Sequence, residues 1–130
     1  MFVGTRDHDA LRLFHAPELD GRWAEHPSSP VVEGDSVRAR PAGRVVVEDG
    51  RLLRFAQRCD TGYGLDVRAF EITELTRTRY SERELPGPVL AGTGQGWNAE
   101  GIHHVDTHRV GRGRWTACVD GWRRPPLGAG

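Results

Sequence analysis

The sequence has no lysine, a single methionine and two cysteines among its 130 residues. Its 18 basic and 18 acidic residues balance, so no net field favours nucleic acid or an anionic membrane as a partner. Cys59 and Cys118 have no second cysteine at metal-ligand spacing, which favours two separate buried thiols over a metal site or a disulfide. No apolar run could cross a membrane, and the first residues lack a signal-peptide pattern. These absences predict a soluble, cytoplasmic chain.

Arginine supplies every positive side chain, and alanine, glycine and valine are abundant. This composition is typical of GC-rich bacterial genomes, so we expect a bacterial source and assign the arginine bias no role in phosphate binding. A chain of 130 residues is long enough for one modest hydrophobic core and too short for two. Local side-chain chemistry must therefore carry the function.

What is present is the pattern of β-strands joined by tight turns. Apolar residues occur in short runs bounded by glycine, proline or Asp-Gly, and helical periodicity is nearly absent. Asp49 and Gly50 separate the runs at 42–48 and 51–57. Because Asp-Gly accepts the positive φ of a two-residue turn, these runs are predicted to form a hairpin.

Two more strands are expected after this hairpin. They lie at about 64–72 and 79–85, and Pro86 and Pro88 are expected to end the second. Four antiparallel strands in sequence form a meander, which is the shape of one β-propeller blade. We therefore predict one full blade at about residues 40–86.

Half-blade patterns lie on both sides of this unit. A hairpin pattern at 101–120 repeats the first one at an offset of about sixty residues. On the other side, strand-like runs at 11–16 and 22–26 match the third and fourth strands of a blade. The sequence thus predicts an all-β fold, a partial β-propeller of about two blades built from antiparallel four-stranded meanders.

The predicted propeller spans residues 1–122, with its last half blade at about 98–122 and a disordered tail at 123–130. Propellers need at least four blades to close, so the first and last strands would be open edges. Either N-terminal blades are missing, so that the chain is a fragment, or copies assemble as a homo-oligomer. An isolated monomer is expected to be aggregation-prone or marginally stable.

Several motifs in the sequence resemble those of one family. They are Leu13-Phe14-His15-Ala16, Asp20-Gly21-Arg22-Trp23, His26-Pro27, Arg40-Pro41-Ala42-Gly43, Ala56-Gln57-Arg58-Cys59 and Tyr63-Gly64. Together they resemble the propeller domain at the amino terminus of plant glucosamine inositolphosphorylceramide transferases and in bacterial stand-alone relatives, over about residues 10–122. The chain departs from the family pattern at Phe55, where proline is expected, and at Arg58, where aspartate is expected.

The resemblance implies a fold similar to that of five-bladed glycoside hydrolases. It also implies a carbohydrate-related module, associated with glycosyl transfer, that binds a glycan or sugar phosphate without cofactors and is not catalytic alone. Because a fold does not determine a reaction, two alternatives stay open. One is a glycoside hydrolase-like enzyme that uses carboxylates in the propeller funnel, and the other is a structural or oligomerising β module.

Candidate ligand-binding residues are polar or aromatic side chains at or near inner strands. Arg40 and Gln57 could converge as donors for sugar hydroxyls or a phosphate, although Arg40 could equally anchor a neighbouring blade. Trp97 is the best candidate for a sugar platform, since it lies in a glycine-rich loop before an inner strand. The remaining candidates are Tyr63, His103 and His104.

Asp106 and Glu71 are the candidate catalytic carboxylates. Glycoside hydrolysis needs two carboxyl groups, one of them protonated, and no pair in the sequence has an identifying spacing. His104, Asp106 and His108 share one strand face, but alternate residues lie about 7 Å apart, which is too far for one ion to reach all three. No metal is therefore predicted, and a histidine beside Asp106 could instead act as acid or base.

Overall fold

A computed structural model describes residues 1–125, and the last five residues of the predicted tail lie outside this range. The described part is all-β, as predicted, apart from one turn of 3-10 helix at Gly96–Asn98. Its strands are β1 (Phe2–Gly4), β2 (Leu11–His15), β3 (Ala24–Glu25), β4 (Val46–Glu48), β5 (Arg51–Gln57), β6 (Asp66–Leu75), β7 (Tyr80–Ala91), β8 (Val105–Gly111) and β9 (Arg114–Val119).

The central sheet is an antiparallel meander in the order β4-β5-β6-β7. The predicted hairpin opens it, with Asp49 at φ 47 and Gly50 at φ 78 in the turn and Val46 opposite Leu53. Positive φ at both turn residues matches the right-handed twist of the flanking strands, which is why Asp-Gly forms this turn. The hairpin prediction is confirmed.

β7 does not end before Pro86, contrary to the prediction. It continues through Pro86 and Pro88 to Ala91, and irregularities in the β6–β7 register absorb the extra residues. A proline lacks the backbone N–H that other residues donate. Because β7 is the outer strand of the sheet, an N–H that points away from β6 is not needed for pairing, so proline is tolerated there. The prolines therefore mark an edge strand and not a strand end.

Shorter sheets flank the central one. The first has the order β1-β2-β3, and β1 was not predicted because three residues carry too little pattern. The last is the β8–β9 hairpin, where Asp106 lies opposite Cys118. Residues 101–104 were predicted as strand, but their β-pairing is limited to an isolated bridge between Gly101 and Trp122. No sheet closes within the described part of the chain.

Apolar packing joins the central sheet to the β8–β9 hairpin. Phe55, Val67 and Ala69 of the central sheet pack against Ile102 and Val105. The amide of Val105 also donates to the carbonyl of Ala42 at 2.8 Å. The hairpin is therefore held mainly through its first strand and the segment before it.

The opposite face of the central sheet buries a charged network. Arg54 is 1% exposed, and its guanidinium makes a two-point contact with Glu82 at 2.8 and 2.7 Å. The guanidinium stacks 4.6 Å from the ring centroid of Phe70, whose strand lies between the two charged residues. Adjacent residues of a strand point to opposite faces, so Arg54 and Phe55 build different sides of the sheet.

Tyr80 and Phe2 cover this charged pair. Tyr80 donates its hydroxyl to Glu82 at 2.6 Å, and its ring meets Phe2 of β1 edge-to-face at 5.7 Å. Burial raises the pKa of Tyr80, and the neighbouring Glu82 adds to the rise. Burial would raise the pKa of Glu82 as well, but hydrogen bonds from Arg54 and Tyr80 together with the charge of Arg54 lower it. The first sheet is thus docked over a fully satisfied ion pair.

Among residues 1–125, no helix is both long and apolar enough to span a bilayer.

Replacing Arg54 with alanine should destabilise the fold strongly, because the buried carboxylate of Glu82 loses its main partner. We expect a loss of about 3–5 kcal/mol in the free energy of unfolding, measured by urea titration. Arg12→Ala is the matched control, since Arg12 pairs with Glu25 at the surface with its side chain 54% exposed. That variant should lose less than about 1 kcal/mol. Equal losses would contradict this account.

Acid should remove the contribution of Glu82 to stability. The folded-state pKa of Glu82 is lowered from 4.5, so its contribution is complete above that value and is lost as the pH falls through the folded-state pKa. Urea titrations from neutral pH into acid should give a steeper decline for the wild type than for Glu82→Gln. Parallel curves would show that Glu82 gains nothing from ionisation in the folded state.

Candidate functional site

A cluster of cationic and aromatic side chains, with one carboxylate, forms where five segments of the chain meet. We call it the Arg40 cluster; its members are His8, Arg40, Tyr63, His103 and Asp120. His8 lies in the turn after β1, Arg40 in the segment before β4, and Tyr63 in the β5–β6 connection. His103 lies in the segment before β8, and Asp120 directly follows β9. Three of the predicted ligand-binding residues, Arg40, Tyr63 and His103, therefore come together.

Arg40 lies at the centre of this cluster. It donates from Nη1 to the imidazole of His8 and from Nη2 to the hydroxyl of Tyr63 at 3.3 Å. Its guanidinium carbon also lies 5.0 Å from the centroid of the Tyr63 ring. The imidazole of His8 and the hydroxyl of Tyr63 thus orient Arg40.

Tyr63 connects Arg40 to His103. The Tyr63 and His103 rings are tilted against each other with centroids 5.1 Å apart, and Tyr63 is 47% exposed. Nδ1 of His103 lies 2.7 Å from Oδ2 of Asp120, which orients the imidazole. The result is a surface with aromatic faces and ring nitrogens beside a fixed positive charge.

Gly64 allows this close approach. It has φ 60, and a Cβ there would overlap the Cβ of His103. The indole of Trp122 donates to the carbonyl of Gly64 at 3.1 Å and holds the loop in place. Only a residue without a side chain lets Tyr63 and His103 meet here.

Arg40 differs from the other arginines that are buried or half-buried. Each of those pairs with a carboxylate: Arg38 and Arg54 with Glu82, Arg58 with Asp66, and Arg68 with Glu84. Within residues 1–125 Arg40 has no carboxylate within ion-pair distance, although the chain contains equal numbers of acidic and basic residues. Among residues 1–125 it is the one partly shielded guanidinium without a carboxylate partner.

An open hollow of about 240 Å³ lies beside Arg40, lined by Gly4, Thr5, Arg40 and Pro41. A larger and mainly apolar groove of about 680 Å³ lies elsewhere, between the first sheet and the β6–β7 turn, with Phe14, Trp23 and Leu75 in its wall. None of the predicted site residues lines that groove. We place the candidate site at the smaller hollow because its wall includes Arg40, which has no carboxylate within ion-pair distance among residues 1–125.

The other predicted ligand residues lie outside the contacts of the cluster. Gln57 is 5% exposed, and its side-chain amide donates to the carbonyl of Pro41 at 3.4 Å, so it supports the segment behind Arg40. Trp97 lies on the single helical turn and is 56% exposed, packed against Gly121. His104 is exposed beside His103. Their roles in binding stay predictions.

Asp106 and Glu71 are each paired with an arginine. Arg44 donates to both oxygens of Asp106 at 2.5 and 3.0 Å, which lowers the pKa of Asp106, and His108 adds to this effect. Arg83 lies 2.5 Å from Glu71 and lowers the pKa of Glu71 in the same way. A general acid needs a raised pKa, so both residues suit only the ionised role in hydrolysis.

No group of three or more histidine, cysteine, aspartate or glutamate side chains within residues 1–125 is arranged to hold a metal ion. His108 instead lies 3.2 Å from Asp106 as a hydrogen-bond partner.

His8 and Asp120 were not predicted to belong to a binding site. His8 is 32 residues from Arg40 in the chain and has φ 64 in the turn after β1. No local pattern links residues that far apart; the positive φ of a non-glycine residue is visible only in the backbone. Asp120 directly follows β9 and gains its role only where the end of this strand passes His103.

Fold and site together define a class: an antiparallel all-β domain with a cationic, aromatic surface cluster. A family model described as "Glucosamine inositolphosphorylceramide transferase 1, N-terminal" matches residues 1–122. The chain belongs to this family, as the sequence motifs indicated.

Curated relatives support the same assignment. The chain is 33% identical over 125 residues to glucosamine inositolphosphorylceramide transferase 1 of Oryza sativa subsp. japonica, covering 94% of this chain and 17% of the relative. It is 31% identical over 123 residues to the protein of the same name in Arabidopsis thaliana, covering 92% and 16% respectively. The chain thus spans about a sixth of the length of these relatives. No solved structure matches it significantly.

The expectation of a bacterial source is wrong on this comparison, because the matched curated relatives come from rice and Arabidopsis. The expectation rested on the arginine-rich, lysine-free composition. Such a composition reports the base content of a gene and carries no physical information about lineage.

Replacing Gly64 with alanine should disrupt the Arg40 cluster. The new Cβ would overlap His103 and would also impose a positive φ on a residue that resists it, so we expect a loss of more than about 1 kcal/mol in the free energy of unfolding. Gly87→Ala is the control: Gly87 has φ 69, but a Cβ there meets nothing within 4 Å. A similar loss in both variants would mean that only backbone strain matters at residue 64.

Proposed function

We propose that this chain is part of a β-propeller module that binds a phosphorylated saccharide in a protein of glycosyl transfer, and that it has no catalytic activity alone. The single observation that carries this proposal is Arg40. It is partly shielded, has no carboxylate within ion-pair distance among residues 1–125, and is oriented by His8 and Tyr63 beside an open hollow.

The chemistry of the cluster fits a phosphate joined to a sugar or polyol. A guanidinium presents planar, paired donors that match phosphate oxygens, and it is less strongly hydrated than an ammonium group. The aromatic face of Tyr63 can pack against the C–H face of a ring. The Tyr63 hydroxyl and the imidazole of His103 can exchange hydrogen bonds with ring hydroxyls.

The names of the relatives are consistent with such a ligand. They refer to glucosamine and to an inositolphosphoryl group, which is a polyol attached to phosphate. Because this chain spans about a sixth of those proteins, only recognition and not the whole transfer reaction is proposed for it.

The placement of the cluster supports the propeller interpretation. Arg40 and His103 both lie just before the first strand of a sheet, β4 and β8 respectively, and about sixty residues separate them. If each sheet is a blade, both residues lie in the segment that leads into its first strand, near the axis of the propeller, where loops commonly carry binding residues. Asp106 and Glu71 have no role in this proposal, since both are held ionised by arginines.

Isothermal titration with inositol monophosphate, inorganic phosphate, glucosamine and free inositol tests the proposal. The phosphorylated polyol should bind best, and Arg40→Gln should weaken it roughly tenfold or more, because a hydrogen bond to a charged group contributes about 1.5–3 kcal/mol. Arg12→Gln, at an arginine of similar chemistry that pairs with Glu25, should leave binding unchanged.

Two outcomes would overturn the proposal. One is the absence of binding to any phosphorylated probe by folded protein. The other is equal weakening by Arg40→Gln and Arg12→Gln, which would show that a general positive field, and not the Arg40 cluster, attracts the ligand.

A further inference from the structure

The larger groove, of about 680 Å³, lies between two walls that hydrogen bonds hold together. One wall comes from the first sheet and the other from the β6–β7 turn. Nε2 of the buried His26 donates to the carbonyl of Thr76 at 2.9 Å, and the hydroxyl of Ser28 donates to the carbonyl of Thr78 at 3.0 Å. The groove is therefore a fixed feature of the fold, and its volume is typical of small-molecule sites, which span about 300–1,000 Å³.

The interior of this groove is apolar and partly aromatic. Leu13, Phe14 and Trp23 line it from the first sheet and the β2–β3 connection, and Leu75 lines it from the end of β6. Leu75 is 47% exposed although its side chain is a large aliphatic one. The indole N–H of Trp23 donates to the carbonyl of Leu19 at 3.2 Å, so the indole offers the groove only its apolar surface. An apolar ligand would remove water from these side chains, which is favourable.

Apart from the exposed imidazole of His15, the polar groups left free in the groove are cationic. Arg22 and Arg77 stand one in each wall, and neither forms an ion pair within residues 1–125. The ring nitrogens of His26 and the hydroxyl of Thr76 already hydrogen-bond within the protein. Among the described residues, no carboxylate or amide side chain lines the groove. Guanidinium groups only donate, so the polar end of a matching ligand must accept and carry negative charge.

We propose that this groove binds an amphiphilic anion, a small molecule with an apolar body and one anionic group. The apolar body lies against Phe14, Trp23 and Leu75, and the anionic group lies between Arg22 and Arg77. The inference is independent of the proposed function, because no member of the Arg40 cluster lines the groove.

Charge complementarity selects this class of ligand over its neighbours. A cationic amphiphile would bring a like charge to Arg22 and Arg77. A neutral amphiphile would shield the two guanidinium groups from water without offering them a charged acceptor, which costs free energy. A neutral saccharide would find donors in the wall but no carboxylate or amide to accept from its hydroxyls.

Isothermal titration of the 130-residue chain with three probes below their micelle concentrations tests the class of ligand. Decanoate joins an apolar body to a carboxylate and should bind. Decyltrimethylammonium has a similar chain and the opposite charge, and acetate has the charge without the chain. Both should bind about tenfold more weakly or not at all. Equal binding of decanoate and decyltrimethylammonium, or no binding of decanoate by folded protein, would refute the proposal.

Substitutions test the two arginines. The double variant Arg22→Gln, Arg77→Gln should weaken decanoate binding about tenfold or more, because the carboxylate loses its charged donors. The control variant Arg51→Gln, Arg112→Gln removes the same charge from exposed positions outside the groove and should bind like the wild type. Equal weakening in both variants, when circular dichroism shows both to be folded, would show that only the general field attracts the ligand.

Amide chemical shifts of the wild type locate the ligand without any substitution. Decanoate should shift the signals of residues 13–26 and 75–77, and should leave those of Arg40, Tyr63 and His103 unchanged. Arg40→Gln should retain full decanoate binding, so failure of this proposal and failure of the proposed function are distinguishable. Shifts confined to the Arg40 cluster, or loss of decanoate binding in Arg40→Gln, would place the ligand there and contradict the inference.

Discussion

The buried contact between Arg54 and Glu82 is the interaction on which the other described elements depend. It spans three strands, since Arg54 on β5 reaches over Phe70 on β6 to Glu82 on β7. Such a pair tolerates almost no error in register, because removing either partner leaves an uncompensated buried charge. The pair therefore selects one alignment of the strands in the central meander. Phe2 of the first sheet packs against the ring of Tyr80, which covers the pair.

The same guanidinium also connects the core to the Arg40 cluster. Nη1 of Arg54 donates to the carbonyl of Arg38 at 2.9 Å, and the backbone N–H of Gln57 donates to the carbonyl of Arg40 at 3.0 Å. These two contacts fasten the segment before β4 along β5. Arg40 consequently projects from a rigid backbone, and pre-organisation of this kind lowers the entropic cost of holding a ligand.

Part of the fold was predictable because its signals are local. The turn at Asp49 and Gly50 requires only two residues with suitable φ, so the hairpin followed from sequence. The course of β7 through Pro86 and Pro88 was not predictable, because proline is excluded from inner strands and tolerated at edges, and edge position is a property of the whole sheet. Arg40, Tyr63 and His103 were predicted singly from residue type, while their contacts with one another and with His8 and Asp120 were not.

The sequence by itself determined the all-β class, the central meander and membership of the transferase N-terminal family, because strand alternation, turn residues and short motifs are carried by neighbouring residues. Only the tertiary structure decided which half-buried arginine among residues 1–125 lacks a carboxylate partner and which carboxylates are held ionised by arginines. Those properties depend on pairs far apart in the chain, such as Arg44 with Asp106 and Arg54 with Glu82. Charge neutralisation and edge pairing are set by spatial distance, which sequence order does not specify.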